Sequence, residues 1–221
     1  RTGSYEAAAR QLQLDRRTLF VWTSDNGAPQ RRPVQGSNLP LRGWGYTTWD
    51  GGKRVPCVVR WPDHIPAGTS CDEIATTMDL LPTFAHLAGT AAPQDRIIDG
   101  LDIWPLLSGQ AGAKSPHEAF YYYYMDQLQA VRSGRWKLHL ATQAKRANLK
   151  GDTTPAEAEL YDLVADIGET KDVASDHADV VQHLLRLAEA ARGDLGDGSR
   201  IGKNQRPVGR VTDPKPQVAC D

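Results

Sequence analysis

Cysteine is scarce in this 221-residue chain: Cys57, Cys71 and Cys220 are its three copies. No CxxC or Cys/His spacing links them, which argues against zinc, and an odd count sets up no disulfide framework. The same odd count and wide spacing disfavour a Cys57–Cys71 bridge. Charge of one sign is lacking too. A formal net charge of −1 gives no reason to expect a nucleic-acid or anionic-membrane partner. No apolar run approaches the ~20 residues of a membrane span. The opening RTGSYEAAARQL has no charged n-region followed by an apolar h-region, so it reads as the middle of a helix-containing segment rather than a signal peptide. The six histidines show neither H-x-x-x-H nor H-E-x-x-H spacing, and internal repeats are absent.

What is present is an ordinary globular composition, 40% apolar and 24% charged, enough for one large domain or one and a half small ones. An Ala-rich run over 6–14 suggests a helix. The near-continuous apolar run over 18–23 (Leu19, Phe20, Val21, Trp22) predicts a strand buried on both faces, as in a parallel sheet between helices. Residues 28–39, with Pro29, Pro33, Gly36 and Asn38, read as loop. VPCVVRW over 55–61 is a second strand. A helix follows over 76–87, with Thr77 as N-cap, its regular part beginning near Asp79 or Leu80 because of Pro82, and Gly89 at its stop. This order fits the last units of an α/β fold.

Near Ser115 the texture changes. Strands are predicted over 120–125, 130–132, 135–140 and 159–163, with Ser133-Gly134 as a tight turn and a polar loop over 142–155. A helix from Asp176 to about Ala191 carries Val180, Leu184, Leu187 and Ala191 on one stripe. The expected organisation is therefore residues 1–112 as α/β, 113–195 as a small antiparallel sheet with one helix, and 196–221 as a surface tail.

The chemistry concentrates in TLFVWTSDNGAP over 18–29. The strand ends abruptly in Asp25-Asn26-Gly27, which puts a carboxylate and a carboxamide at a strand's carboxyl end, where ligands gather in open α/β sheets. One charged and one neutral hard oxygen suit Ca²⁺ or Mg²⁺, and Gly27 permits the turn that lets both face one ion. Taken alone, Ser-Asp-Asn-Gly is also ordinary turn chemistry.

TSDNG resembles the strand-end motif that supplies two calcium ligands in sulfatases of the arylsulfatase type. PLRGWGYTTWDGGKRVP resembles that family's block L-R-G-x-K-x-x-T-W-E-G-G-x-R-V-P. DEIATTMDLLPTFAHLAG, DGLDIWPLL, AVRSGRWKLHL and ELYDLVADIGETKDVA resemble further sulfatase segments in the family's order. The resemblance implies the C-terminal part of an alkaline-phosphatase-like parallel-sheet α/β domain plus a small antiparallel-sheet subdomain with one helix. It further implies Ca²⁺ as cofactor, Asp25 and Asn26 as metal ligands, a sulfate ester as substrate, and a periplasmic or extracellular setting. The family's Asp-Asp ligand pair and its Cys/Ser-x-Pro-x-Arg motif, source of formylglycine, have no counterpart here. The expectation is therefore a fragment, without a catalytic residue of its own and inactive without the N-terminal half.

One departure bears on mechanism. Where the family block carries a sulfate-binding lysine, this chain has Gly45. Lys53 is expected to face solvent, Arg42 and Arg54 to pair with carboxylates or carbonyls, and Gly51-Gly52 to allow close backbone approach. His86 is expected to be packed or hydrogen-bonded, His139, the best outsider among the histidines, not to be catalytic, Tyr121–Tyr124 to form a half-buried strand rather than a sugar or aryl pocket, and Lys145, Arg146 and Lys150 to be a solvated loop patch. Two alternatives stand beside a sulfatase: a degenerate, non-catalytic binding module, and a related phosphoryl hydrolase. Asn26 argues against the latter where two-zinc enzymes carry His.

Overall fold

A computed structural model of the chain describes residues 15, 17–141, 157–207 and 209–214. The helix predicted over 6–14, the trio Lys145, Arg146 and Lys150, and Cys220 lie outside the described residues. Strand β1 (Phe20–Thr23) leads through a long loop to the four-residue helix α1 (Asp50–Lys53) and then β2 (Cys57–Arg60). A 3₁₀ turn at Thr77–Asp79 opens into α2 (Leu80–Leu87), and α3 (Trp104–Leu107) follows. The rest comprises β3 (Phe120–Tyr124), β4 (Gln127–Ser133), β5 (Trp136–His139), β6 (Glu159–Asp162) and the long helix α4 (Ala178–Leu195).

The predicted parallel sheet is overturned. Both sheets among the described residues are antiparallel: β1 with β2, and β3-β4-β5-β6. Phe20 stands opposite Arg60 and Thr23 opposite Cys57. A parallel pair needs a crossover that carries the chain back to the strand's starting end, usually on a helix. Between Thr23 and Cys57 the regular structure is the four residues of α1, and β2 runs back along β1. Burial of β1 on both faces fails as well, since its residues are half-buried and Trp22 is 51% exposed.

Within the four-stranded sheet, β3, β4 and β5 are joined as local hairpins, with turns at Met125-Asp126 and Gly134-Arg135. Its two faces differ in kind. Val131, Leu138 and Leu160 align across β4, β5 and β6 and, with Leu128 and Leu140, meet Leu184, Leu187, Ala188 and Ala191 of α4. That i, i+3, i+4, i+7 stripe is the amphipathic signature of a helix on a sheet, and each fully buried Leu contributes about 1.5–3 kcal/mol. The opposite face aligns Arg132, Lys137 and Tyr161, and beside them Ala130 and His139. A bulge between Tyr122 and Tyr123 leaves Gln129 as the extra residue on β4. Its side chain accepts the Thr48 hydroxyl at 3.0 Å, drawing the loop before α1 onto this face.

Helix starts shift by a residue or two, as boundaries commonly do. Thr76, not Thr77, opens the turn before α2: its N–H donates to Asp79 Oδ2 at 2.6 Å. Regular helix begins at Leu80, where Pro82 still falls in the first turn and displaces no intrahelical N–H. Asp176 lies in a 3₁₀ turn (Ala174–Asp176), and His177 takes the cap of α4. No helix among the described residues is long and apolar enough to cross a membrane.

Candidate functional site

Asp25 and Asn26 occupy the bend directly after β1. Asp25 is exposed, Asn26 half-buried and Gly27 buried. Asp25 Oδ1 accepts the Asn26 N–H at 2.9 Å, which folds the carboxylate over the bend. Below it the bend rests on the loop that runs into α1. Gly27 N–H donates to the Gly52 carbonyl at 3.2 Å, and Gly45 N–H to the Ala28 carbonyl at 3.1 Å. Asn38 staples the two segments, its Oδ1 accepting Ala28 N–H at 2.7 Å while its Nδ2 donates to the Ala28 and Gly43 carbonyls at 2.9 and 3.0 Å.

This docking depends on absent side chains. A Cβ on Gly27 would lie 1.7 Å from the Gly51 carbonyl oxygen, and one on Gly45 would lie 2.4 Å from the Gly27 carbonyl oxygen and 2.8 Å from Asn26 Oδ1. Gly51 and Gly52 are equally crowded by the Arg42, Trp44 and Thr47 carbonyls, the close approach expected of that pair. Gly45 is thus a backbone contact of the bend, and a lysine has no room there.

Sequence reading missed what holds this loop from the other side. Lys137 is fully buried with Asp50 and Glu169. Its Nζ lies 2.8 Å from Asp50 Oδ1 and 2.9 Å from Glu169 Oε2, and 4.2 Å over the Tyr122 ring. Tyr122 O–H donates to Asp50 Oδ1 at 3.1 Å, and Arg132 approaches Asp50 Oδ2 at 3.8 Å. Glu169 Oε1 accepts the Asp50 N–H at 2.7 Å. Arg42 donates to the Glu169 carbonyl at 2.7 Å while its guanidinium lies 3.7 Å over Trp49, the carbonyl-pairing role expected of it. Burial opposes ionisation of Asp50, but the Lys137 charge and hydrogen bond, Arg132 and Tyr122 outweigh it and hold its pKa below the usual value. Burial and the Asp50 charge push the Tyr122 hydroxyl far up, so it stays a donor.

His139 belongs to the same cluster. Its ring packs 3.9 Å from Trp49, and its Nε2 lies 3.0 Å from Glu169 Oε2, which fixes the Nε2–H tautomer. Burial lowers its pKa to about 4, against the Glu169 hydrogen bond and with the help of the Lys137 and Arg42 charges. The imidazole is therefore neutral in the folded chain above that value, whereas an unfolded His titrates near pH 6.5. Between the two the unfolded state binds the extra proton, so stability falls on acidification across that window, by about 3 kcal/mol in all. Asp50 adds a loss only below the unfolded carboxylate range, because its depressed pKa keeps it charged down to lower pH. Urea midpoints at pH 7.5 and 4.5 should show the first slope in the wild type and a much flatter one in His139→Asn. Equal slopes would remove His139 as its source.

The remaining histidines are dispersed. His64 stacks on Trp61, His86 pairs with Asp102, His117 with Asp79, and His177 lies against Trp136. Cys57 and Cys71 are both free thiols. Tyr121–Tyr124 lie in a half-buried strand, with Tyr122 its buried member. No three His, Cys, Asp or Glu side chains among the described residues converge on a cation. Asp25 and Asn26 stand as two donors, not a cluster.

Comparison with known proteins fits this arrangement to a family. The family described as N-sulphoglucosamine sulphohydrolase, C-terminal, matches residues 46–192. The chain is 36% identical to the steryl-sulfatase of Mus musculus over 225 residues, covering 87% of this chain and 35% of that protein. It is 36% identical to arylsulfatase A of Homo sapiens over 242 residues, covering 99% of this chain and 46% of that protein. The chain thus spans less than half the length of these two relatives. In fold it is similar to the PsFucS1 sulfatase from Pseudoalteromonas sp., with a TM-score of 0.71 at 24% identity over 86% of this chain and 39% of that one. The chain belongs to the sulfatase family, as a C-terminal sulfatase-family domain.

Proposed function

We propose that this chain is part of a calcium-dependent sulfuric ester hydrolase and contributes half of its metal shell through Asp25 and Asn26. The observation that carries the reading is the bend itself: two hard oxygen donors, one exposed carboxylate and one half-buried carboxamide, on a glycine-packed turn at a strand end. Calcium takes six to eight oxygen ligands, so two donors fit it as a partial shell completed from elsewhere in a longer protein. When bound, the ion would polarise the sulfate oxygens as a Lewis acid. Asp25 supplies the charge that attracts the cation, and the missing side chain at Gly45 leaves room for Asn26 Oδ1, which a Cβ there would approach to 2.8 Å. Residues 1–112 form the part that carries the half-site, and the sheet and helix beyond brace it.

Gly45 favours a second reading. With no room for a lysine there, the cation that meets the sulfate must come from another position, or the chain is a non-catalytic binding module. Terbium, a calcium surrogate sensitised by nearby tryptophans such as Trp22, separates the possibilities. The 221-residue chain should bind it weakly, as an incomplete oxygen shell does, and Asp25→Ala should abolish binding. Hydrolysis of an aryl sulfate by the 221-residue chain, lost in Asp25→Ala, would replace the half-shell by a complete site. Binding unaffected by Asp25→Ala would end the calcium reading.

A further inference from the structure

Glu169 is an unusual residue in its setting. It is fully buried, yet its backbone sits at φ 51°, a region L side chains rarely adopt. Every polar group it offers is used. Oε1 takes the first amide of α1, Oε2 faces Lys137 and His139, and the carbonyl takes Arg42. Two of these partners, Asp50 and Arg42, bracket the loop on which the Asp25-Asn26-Gly27 bend is docked. Within that loop the Arg42 carbonyl accepts the Gly51 N–H at 2.7 Å, and Gly52 in turn accepts Gly27 N–H. Glu169 is therefore two hydrogen bonds from the bend through Asp50 and α1, and three through Arg42 and Gly51.

We propose that Glu169 is a positioning residue for the metal half-site: it fixes the 42–52 loop against the four-stranded sheet and thereby sets where Asp25 and Asn26 stand. The strained backbone at Glu169 is kept because the contacts on both its side chain and its carbonyl over-determine it. The buried charges suit that task. Lys137 compensates both carboxylates, so Glu169 stays an acceptor for the Asp50 amide without an unpaired charge in the interior. The assignment rests on the calcium reading of the bend, but its mechanical half can be measured without metal.

The experiment uses the full 221-residue chain and three variants. Glu169→Gln keeps the side-chain shape and one acceptor oxygen, exchanges the other for an NH2 donor, removes one buried charge and leaves the Lys137–Asp50 pair balanced. Arg42→Met leaves the Lys137, Asp50 and Glu169 charges in place and removes the hold on the Glu169 carbonyl together with the guanidinium's contact on Trp49; it answers the question should Glu169→Gln fail to fold. Asp25→Ala reports on the metal itself. Two readouts are taken: hydrogen exchange at the Gly27 and Gly45 amides against those of Leu138 and Leu160, and the terbium dissociation constant. Groups that orient a ligand from behind typically change metal affinity about 10- to 100-fold. The expected result is that Glu169→Gln weakens terbium binding by a factor in that range and speeds Gly27 and Gly45 exchange, while Leu138 and Leu160 stay protected. Arg42→Met should move both in the same direction by less. Unchanged exchange at Gly27 and Gly45 in the folded variants would overturn the proposal. So would equal loss of protection at Leu138 and Leu160, which marks a merely structural role. A wild type that binds no terbium sinks the calcium reading alone, and the exchange comparison still decides what Glu169 holds.

Discussion

Lys137→Met should cost the folded chain about 3–5 kcal/mol at pH 7, because removing one partner of a buried ion cluster strands the others. Two carboxylates, Asp50 and Glu169, would lose their shared cation, and both are fully buried. Methionine fills most of the lysine stem's volume, so the loss reads charge rather than a cavity. Since domains are stable by only about 5–15 kcal/mol, a change of that size removes much of the margin. The variant should also change its response to acid. With Lys137 gone, a proton on the buried cluster relieves the uncompensated charge, so acidification towards pH 5 should cost the variant less stability than it costs the wild type. Adding Asp50→Asn and Glu169→Gln to Lys137→Met should recover most of the loss, since uncharged replacements of buried ion clusters are often neutral. Urea denaturation of the single and triple variants measures all of this. A single-variant loss below about 1 kcal/mol would falsify the account of Lys137 as the keystone of the cluster, being no more than an exposed ion pair contributes.

Gly27→Ala is the second large effect. The new methyl would overlap the Gly51 carbonyl oxygen at 1.7 Å and the carbonyl carbon at 2.8 Å. Both are backbone atoms, and Gly51 is itself held by Arg42, so no side chain can rotate away to make room. Overpacking commonly costs about 1–3 kcal/mol, and this clash belongs at or above the upper end. Gly45→Ala should cost less, since part of its overlap is with the Asn26 side chain. Its signature is instead the displacement of Asn26 Oδ1, seen as weakened terbium binding at modest cost in stability. Gly209, with open space around it, provides the control: Gly209→Ala should stay within about 0.5 kcal/mol of wild type. Thermal or urea unfolding of the three variants should rank them Gly27, Gly45, Gly209. Any other order would mean that the bend is not seated on the Gly51–Gly52 turn.

How far the sequence could be read depended on whether a feature is local. The hairpins from Phe120 onward were legible because alternation and a Ser133-Gly134 turn are near-neighbour signals, and the stripe on α4 because its period is. The placement of Asp25 and Asn26 just past a strand was legible for the same reason. The direction in which β2 runs beside β1 was not, because an apolar run looks alike in a parallel and an antiparallel sheet. Helix α1 was missed because Gly51-Gly52 have poor helix propensity, and its turn is held instead by Glu169 and by neighbouring carbonyls. Lys137 and His139 alternate with Trp136, Leu138 and Leu140, so a period-two reading sends them to water. They are buried because the 48–52 loop covers that face, a contact that no local pattern announces. Glu169 was hidden for the same reason, in a stretch read only as resemblance to a sulfatase segment.

The bond from Asp50 to Glu169 spans 119 positions of sequence, and that distance sets an order of events. Hairpins β3 to β5 close over a few residues each and can form quickly, whereas contacts between distant residues must first meet the entropy of closing a long loop. On the ribosome, where chains emerge from the N-terminus at about 5–20 residues per second, the Asp25-Asn26 bend emerges before Glu169 and, on the proposal above, stays without its brace until Glu169 has been synthesised. The two donors come first in the sequence, and the residue proposed to set their geometry comes well after them.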